Sequence, residues 1–306
     1  MKKANSLRFI CALALLVIAF ACRKTVAPLA PPQAPVQTDS TQKPRQKPDS
    51  QAVQSLPFPQ NPVTGCSYAP NYGDSIIYPQ PTTQGKDYIV SPVNNPGSGT
   101  YLSWPQGLVI NDSTGAVDVT QSQTGERFMI GFVQSGTSDT CLTSLILGGA
   151  SYEDSVYVIA NGQTQAWPYF NANPYMPSPC GTAGSCAFDV TGSAAAMKVV
   201  VDPNSGMIDL LKTLNGPGGL LSSGAFGLLP LSGQEISPVI YYQLNDGSNN
   251  ALQNIQVNIV YYSSKSSITP SLLNNLVNKL GNILGNLLIQ NTGNPRPPMV
   301  IITRYN

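Results

Sequence analysis

Short apolar runs separated by polar turns dominate the chain from about residue 64 onward. Residues 107–119 and 197–210 share one pattern: a β-run, a polar turn that ends in Thr-Gly or Ser-Gly, and a second β-run that carries an aspartate. The glycine supplies a positive φ at the turn, and an Asn or Asp side chain caps the loop. Each segment is therefore predicted to be a hairpin, and the two hairpins to be copies of one unit.

A second hairpin follows the first in each copy. In copy one, apolar runs at 127–133 and 141–147 flank a polar turn, and in copy two the corresponding runs are 239–244 and 252–262. The repeat length is close to that of one β-sandwich domain, roughly 100 residues. The pattern predicts a mainly β fold with two tandem β-sandwich domains.

A helical pattern appears only near the end of the chain. Thr269 and Pro270 suit a helix start, because Thr caps the first turn and Pro fits into it. Apolar residues then recur at three- and four-residue steps to about 289, while asparagines fill the other face. The stripe of this amphipathic helix is predicted to pack on a β-sheet; the alternative is docking on a partner or a membrane. A last β-run at 299–303 is expected to add a strand.

The first residues carry an export signal. Lys2, Lys3 and Arg8 precede an apolar run at 9–21, which is too short to span a bilayer and suits a signal peptide. Cys22 follows small residues and resembles the lipobox cysteine of bacterial lipoproteins, whose thiol is diacylated before cleavage. The alternative is an ordinary secretory peptide that is cut before Cys22.

The segment after this cysteine has the composition of a tether. Residues 22–63 are rich in Pro and Gln and hold few large apolar side chains, so they cannot bury enough surface to offset their conformational entropy. A lipid on Cys22 and a disordered tether together predict a body held on the cell envelope. Arg23 is compatible with delivery to the outer membrane.

Composition removes several classes of function. From residue 64 the chain has eight basic and thirteen acidic residues, and such a body is a poor partner for nucleic acid because phosphate contacts dominate that affinity. The chain has no histidine, which removes Ser-His-Asp and Cys-His catalysis and most catalytic zinc sites. It has no phosphate-loop motif, and no cofactor is expected.

Four cysteines lie in the body: Cys66, Cys141, Cys180 and Cys186. An even number in an oxidising compartment predicts two disulfides. A local bridge across the Gly-rich stretch from Cys180 to Cys186 is the simplest choice and leaves Cys66 with Cys141. Three pairings remain possible from the sequence alone.

Carboxylates are the remaining catalytic candidates. Two acids would suffice for a glycosidase, and the glutamates of the body are Glu126, Glu153 and Glu235. Glu153 and Asp154 are adjacent and would face opposite ways on a strand. A carboxylate-dependent hydrolase is therefore the least favoured alternative, and no catalytic residue is assigned.

Two kinds of ligand site are also considered. The candidate calcium ligands are the aspartates of the first hairpins, Asp112, Asp118, Asp202 and Asp209. Turn capping explains these aspartates better, and no metal is expected. Trp167, Tyr169 and Tyr175 are candidates for an exposed platform that stacks on sugars; core and loop packing is the alternative.

Residues 105–133 resemble a known family. The stretch Pro105-Gln-Gly-Leu-Val-Ile-Asn-Asp-Ser-Thr-Gly-Ala-Val, followed by Gly125 and the run 128–133, is similar to the Ig-like, cadherin-like repeats of bacterial surface proteins. The second copy lacks the Pro-x-Gly-Leu start. The whole chain also resembles lipoproteins of the Bacteroidota. These resemblances imply fold and location but no activity.

The expected organisation is a signal peptide at 1–21, a tether at 22–63, Ig-like domains at 64–160 and 161–263, and a helix with a terminal strand at 264–306. The expected function is that of a non-catalytic envelope lipoprotein for adhesion, scaffolding or binding. Its partners would be a membrane, through the lipid, and envelope proteins or glycans. A carbohydrate-binding surface lipoprotein is the alternative.

Overall fold

The computed structural model describes residues 62–63, 66–83, 85–104, 107–181, 184–218, 222–274, 276 and 297–306. These residues build a mainly β structure of several sheets with few short helices, as the run-and-turn pattern predicts. The described residues all belong to one compact unit. Among the described residues, no helix is long and apolar enough to cross a membrane. The predicted signal peptide, Cys22 and nearly all of the tether lie outside this description.

The strands are short and numerous. In chain order, the strands of the described residues are β1 (Pro62–Val63), β2 (Ile76–Ile77), β3 (Ile89–Val90), β4 (Gly99–Trp104), β5 (Val109–Ile110), β6 (Val117–Asp118), β7 (Glu126–Gln134), β8 (Thr140–Leu147), β9 (Ala150–Tyr152), β10 (Ser155–Val158), β11 (Gln165–Ala166), β12 (Pro168–Phe170), β13 (Ala187–Phe188), β14 (Ile208–Asp209), β15 (Gln234–Ile236), β16 (Val239–Gln243), β17 (Gln253–Gln256), β18 (Asn258–Ser264) and β19 (Met299–Tyr305). The many glycines and polar turns between apolar runs account for these short lengths.

The helical elements are also short. They are α1 (Ser193–Ala196), α2 (Leu210–Asn215), and the 3-10 turns Ile159–Asn161 and Lys265–Ser267. Residues 270–274 and Leu276 are helical as well. This last stretch begins where Thr269 and Pro270 predict a helix start; the rest of the predicted 269–289 helix lies outside the described residues.

The first hydrophobic cluster is built by residues of two sheets. One sheet has the order β1-β8-β7-β4, with β2 also paired to β8, and the other has the order β3-β6-β5. Phe128, Ile130 and Phe132 alternate along β7 and are fully buried, joined by Val117 from the second sheet. This alternation is the period-two pattern of a strand with one face in the core.

The second hydrophobic cluster extends from Ala150 to Ile302. Its largest sheet has the order β10-β19-β18-β15. A smaller sheet has the order β13-β16-β17, and two-stranded sheets pair β11 with β14 and β12 with β9. Strand β19 lies between β10 and β18 and is parallel to both. Val300, Ile301 and Ile302 of β19 are all fully buried, because this strand has apolar neighbours on both faces, as parallel strands usually do.

A third cluster covers the other face of this sheet. It joins Leu272, Leu273 and Leu276 of the helical stretch to Val156, Val260, Tyr262, Met299 and Ile301. Parallel neighbours need a crossover connection, and residues 265–298 connect β18 to β19. The described start of the helix therefore packs its apolar stripe on a sheet, as the sequence predicts.

Three features of the structure refine the expected organisation. Strands β9 and β10 contribute to the second cluster, so the border between the two clusters falls near Gly149 and not at 160/161. The run at 299–303 forms the expected last strand, and this strand, β19, lies inside its sheet and not at an edge. The run 252–262 is two strands: the Val257 N–H donates to the Pro238 carbonyl at 3.0 Å, and there the chain leaves one sheet for another.

Both disulfides lie at loop ends. Cys66 is bonded to Cys141, which joins the segment before β2 to the start of β8. Cys180 is bonded to Cys186 across the Gly-rich loop before β13. Of the three possible pairings, the structure has the one that loop length favoured.

Candidate functional site

The turn between β5 and β6 is organised by one asparagine. Asn111 Oδ1 accepts hydrogen bonds from the backbone N–H groups of Ser113 (3.0 Å) and Thr114 (2.9 Å). The Gly115 N–H donates to the Asn111 carbonyl at 2.8 Å, and the Asn111 N–H donates to the Ala116 carbonyl at 2.9 Å. Gly115 has φ of +69°, a conformation that favours glycine.

The turn before β14 repeats these hydrogen bonds at the matching positions. Asp202 Oδ1 accepts from the N–H groups of Asn204 (3.1 Å) and Ser205 (2.8 Å). The Gly206 N–H donates to the Asp202 carbonyl at 2.9 Å, the Asp202 N–H donates to the Met207 carbonyl at 2.8 Å, and Gly206 has φ of +76°. The Ser205 hydroxyl and N–H also hold the pKa of the Asp202 carboxyl below its usual value. Asp202 therefore occupies the position of the first-copy asparagine.

A buried tyrosine binds the glycine of each turn. The Tyr72 hydroxyl donates to the Gly115 carbonyl at 2.7 Å, and the Tyr152 hydroxyl donates to the Gly206 carbonyl at 2.6 Å. Burial raises the pKa of both phenols well above the usual value. Each turn is thus fixed to the core below it by one buried hydrogen bond.

An aromatic ring closes the space beside each glycine. A Cβ atom on Gly206 would lie 2.6 Å from the Phe188 ring, and a Cβ atom on Gly115 would overlap the Tyr101 ring. Any larger residue would therefore be strained twice, in its backbone conformation and in its packing. The sequence pattern identified both glycines, but it could not identify the tyrosines and rings, which come from distant parts of the chain.

The aspartate after each turn caps the chain that follows. Asp118 Oδ1 accepts from the Gln121 N–H at 3.0 Å, and Asp209 Oδ1 accepts from the Lys212 N–H at 2.9 Å. Asp209 also forms an ion pair with the Lys212 ammonium at 2.9 Å. Partial burial, with Asp87 nearby, raises the pKa of the Asp118 carboxyl.

A hydroxyl four residues after each of these aspartates completes the correspondence. The Val109 N–H donates to Ser122 Oγ at 2.8 Å, and the Val200 N–H donates to Thr213 Oγ1 at 3.0 Å. Two stretches with little sequence identity thus have the same local hydrogen bonds. The internal repeat predicted from the sequence is therefore present in the structure in the hydrogen bonds of these turns and caps. The flanks differ, since Val201 and Ile208 form only an isolated bridge in the second copy.

The aspartates considered as calcium ligands bind parts of their own turns. Asp118, Asp202 and Asp209 accept from nearby N–H groups as above, and exposed Asp112 accepts from the Ser113 hydroxyl at 3.0 Å. Among the described residues, no group of three or more His, Cys, Asp or Glu side chains is placed to hold a metal ion.

The carboxylates considered for hydrolysis lie in different elements. Glu126 begins β7, and exposed Glu235 lies in β15. Glu153 is exposed whereas Asp154 is buried and accepts from the Met299 N–H. The pair lies between β9 and β10 and not on a strand, and Asp154 acts as an anchor for the start of β19.

The aromatic candidates differ in burial. Trp167 is 56% exposed and Tyr175 is 83% exposed, but Tyr169 is only 8% exposed. Burial raises the pKa of the Tyr169 phenol to about 12. Of the three proposed platform residues, only Trp167 and Tyr175 are available to a ligand.

Sequence reasoning missed a buried polar centre that links the first two clusters. The Tyr242 hydroxyl lies 2.9 Å from Thr124 Oγ1, accepts from the Ala150 N–H at 3.0 Å, and lies 3.2 Å from Gln253 Oε1. A Cβ atom on Gly149 would lie 2.7 Å from that Gln253 oxygen. Burial raises the pKa of the Tyr242 phenol to about 12. The paired glycines after β8 were the available signal, since glycine often marks a close approach of the chain.

Comparison with known proteins gives little beyond a β-rich likeness. The chain matches no protein-family model and no curated protein. It is weakly similar to the crystal structure of Drosophila N-cadherin EC1-4, with 10% sequence identity and a TM-score of 0.19. The match covers 66% of this chain and 49% of that one, so the chain matches about half the length of that structure. A TM-score this low carries no argument about function.

Proposed function

We propose that the protein is a non-catalytic lipoprotein of the cell envelope whose body is a tandem pair of Ig-like, cadherin-like repeats. The observation that carries this proposal is the duplicated turn. Asn111 and Asp202 make the same four backbone contacts, and Gly115 and Gly206 each accept from a buried tyrosine. Such a match between two stretches of one chain is what repetition of a single domain type produces.

The polar groups of the body support binding over catalysis. The aspartates of both turns are engaged in caps, and the Tyr242 hydroxyl joins one buried part of the body to another. These groups stabilise turns and contacts within the fold. A function in adhesion or scaffolding needs only a stiff β body and an exposed surface.

Anchoring through Cys22 is the second part of the proposal. A diacylated thiol, followed by a Pro/Gln-rich tether, would hold the body at the outer membrane while letting it reach partners. Envelope proteins and glycans are the partners that such a location offers.

Metabolic labelling with an alkyne fatty acid tests the anchor. The full chain should take up the label and sediment with membranes, whereas a Cys22→Ser variant should do neither. A Cys66→Ser variant is the matched control, because this substitution removes a cysteine and breaks a disulfide but leaves Cys22 in place. Labelling of the Cys22→Ser chain, or its unchanged retention in membranes, would contradict the proposal.

Cell clumping tests adhesion. Host cells that carry the anchored chain should aggregate, or adhere to a glycan-coated surface, more than cells that export the Cys22→Ser chain. Equal behaviour of both populations on every surface would remove adhesion from the proposal and leave scaffolding.

Exposure of two aromatics favours carbohydrate binding as a second candidate. Trp167 and Tyr175 project most of their surface into solvent, and aromatic faces stack on sugars. Binding to a glycan array should be lost when Trp167 is replaced by alanine (Trp167→Ala). It should be kept in the Tyr241→Ala variant, which changes a half-buried tyrosine of strand β16. An array without signal for the unaltered chain would rule against this candidate.

A further inference from the structure

Three leucines close together in the loop before β15 are unusually exposed. We call Leu228, Leu229, Pro230 and Leu231 the leucine loop. The exposed fractions of its leucines are 61%, 82% and 68%, respectively. Single apolar residues are common on protein surfaces, but contiguous ones mark sites of contact with a partner or a membrane.

The leucine loop is held in place at both ends. On its amino side Phe226 is only 4% exposed and packs against Tyr261, with ring centroids 5.9 Å apart. On its carboxyl side the Leu231 N–H donates to Gln234 Oε1 at 2.6 Å, and the Gly233 N–H donates to the Tyr261 carbonyl at 2.7 Å. The backbone that carries the leucines is therefore held in place. Binding would immobilise few additional rotatable bonds, so its entropic cost would be small.

The surrounding sequence lacks charge. Residues 213–233 contain no Asp, Glu, Lys or Arg, and Lys212 and Glu235 flank the stretch with opposite signs. Burying the leucine loop in an apolar phase would thus desolvate no ionised side chain of the loop itself, and such desolvation is a large cost of inserting a segment into lipid. The balanced flanks also mean that attraction to anionic headgroups contributes little.

We propose that the leucine loop inserts into the boundary between headgroups and acyl chains of a lipid bilayer. Three leucine side chains bury far less than the roughly 800 Å² per partner of a stable protein interface, so a second copy of the chain is a poorer occupant. A bilayer demands no shape complementarity, and the strength of binding rises with the apolar area that is buried. The physiological meaning rests on the proposed lipid anchor, which would keep a bilayer within reach.

Vesicle flotation tests insertion without the anchor. A chain that begins at residue 22, and so lacks the apolar run at 9–21, carries Cys22→Ser and is mixed with phosphatidylcholine vesicles. The fraction that floats gives a partition coefficient. A Leu229→Ser/Leu231→Ser variant should partition at least about tenfold less. The matched control is Val93→Ser/Leu252→Ser, which alters two residues elsewhere that are 69% and 49% exposed, and it should partition like the parent chain. Far-UV circular dichroism verifies the fold of each variant.

Each outcome decides the proposal. Equal partitioning of both double variants, or no flotation of the parent chain, overturns it. A change from dimer to monomer in the leucine variant, seen by sedimentation, assigns the loop to a second copy and also overturns it. Because the chain in this assay carries no lipid, failure here leaves the fatty-acid labelling result untouched, and failure of labelling leaves this result untouched.

Discussion

Replacing Gly206 with alanine is the sharpest test of the duplicated turn. Gly206 has φ of +76°, its carbonyl accepts from the buried Tyr152 hydroxyl, and a Cβ atom would lie 2.6 Å from the Phe188 ring. The substitution therefore strains the backbone and forces either the ring or the turn to move. Movement of the turn would also weaken the hydrogen bond from Tyr152.

The expected cost has two parts. An alanine in the left-handed region costs about 1–2 kcal/mol, and an extra methyl group in a well-packed site costs about 1–3 kcal/mol. Together Gly206→Ala should lower the free energy of unfolding by about 2–5 kcal/mol, a large share of the 5–15 kcal/mol that is usual for folded domains.

Gly162 provides the matched control. It has φ of +79°, but a Cβ atom there would meet nothing within 4 Å. Gly162→Ala should therefore show the backbone cost alone, about 1–2 kcal/mol. Urea denaturation followed by tyrosine and tryptophan fluorescence measures both variants, and Gly115→Ala in the first copy should behave like Gly206→Ala.

Equal destabilisation of the Gly206 and Gly162 variants would refute the packing part of this reasoning. A large cost at Gly206 with none at Gly115 would refute the equivalence of the two turns. Either result can be read from the denaturation midpoints if the slopes agree between variants.

Three further predictions concern the turn, a disulfide and the last strand. Because the pKa of Asp202 is lowered in the folded chain, its ionisation stabilises the fold above the unfolded pKa, and this contribution is lost as pH falls through the folded value. Asp202→Asn, which imitates Asn111, should flatten the acid side of a stability–pH profile; an unchanged profile would contradict this. Removing the disulfide between Cys66 and Cys141, which are 75 residues apart, should lower the free energy of unfolding by about 4 kcal/mol. Removing the short bridge between Cys180 and Cys186 should lower it by about 2 kcal/mol. Denaturation of the two double serine variants measures both losses. Ile302→Ala, at a fully buried position of β19, should cost about 2–5 kcal/mol in the same assay, and a loss below 1 kcal/mol would show that Ile302 is not part of the core.

Local pattern determined the mainly β character, the hairpin turns and the start of the late helix. These features depend on neighbours in sequence: Gly115 and Gly206 adopt positive φ, and Thr269 and Pro270 precede a helical stretch. The pairing of Cys180 with Cys186 also follows from a short loop. Such features can be predicted from the sequence because the interactions that determine them span only a few residues.

Tertiary structure alone decided which distant residues meet. The partners of the two turn glycines, Tyr72 and Tyr152, carry no mark in the sequence. The same is true of Tyr242 at the polar centre between the clusters, and of β19, which the chain places in the middle of a sheet. The burial that separates Tyr169 from Trp167 was equally hidden, because burial depends on the surfaces that other strands bring to a residue and not on the residue's own neighbours.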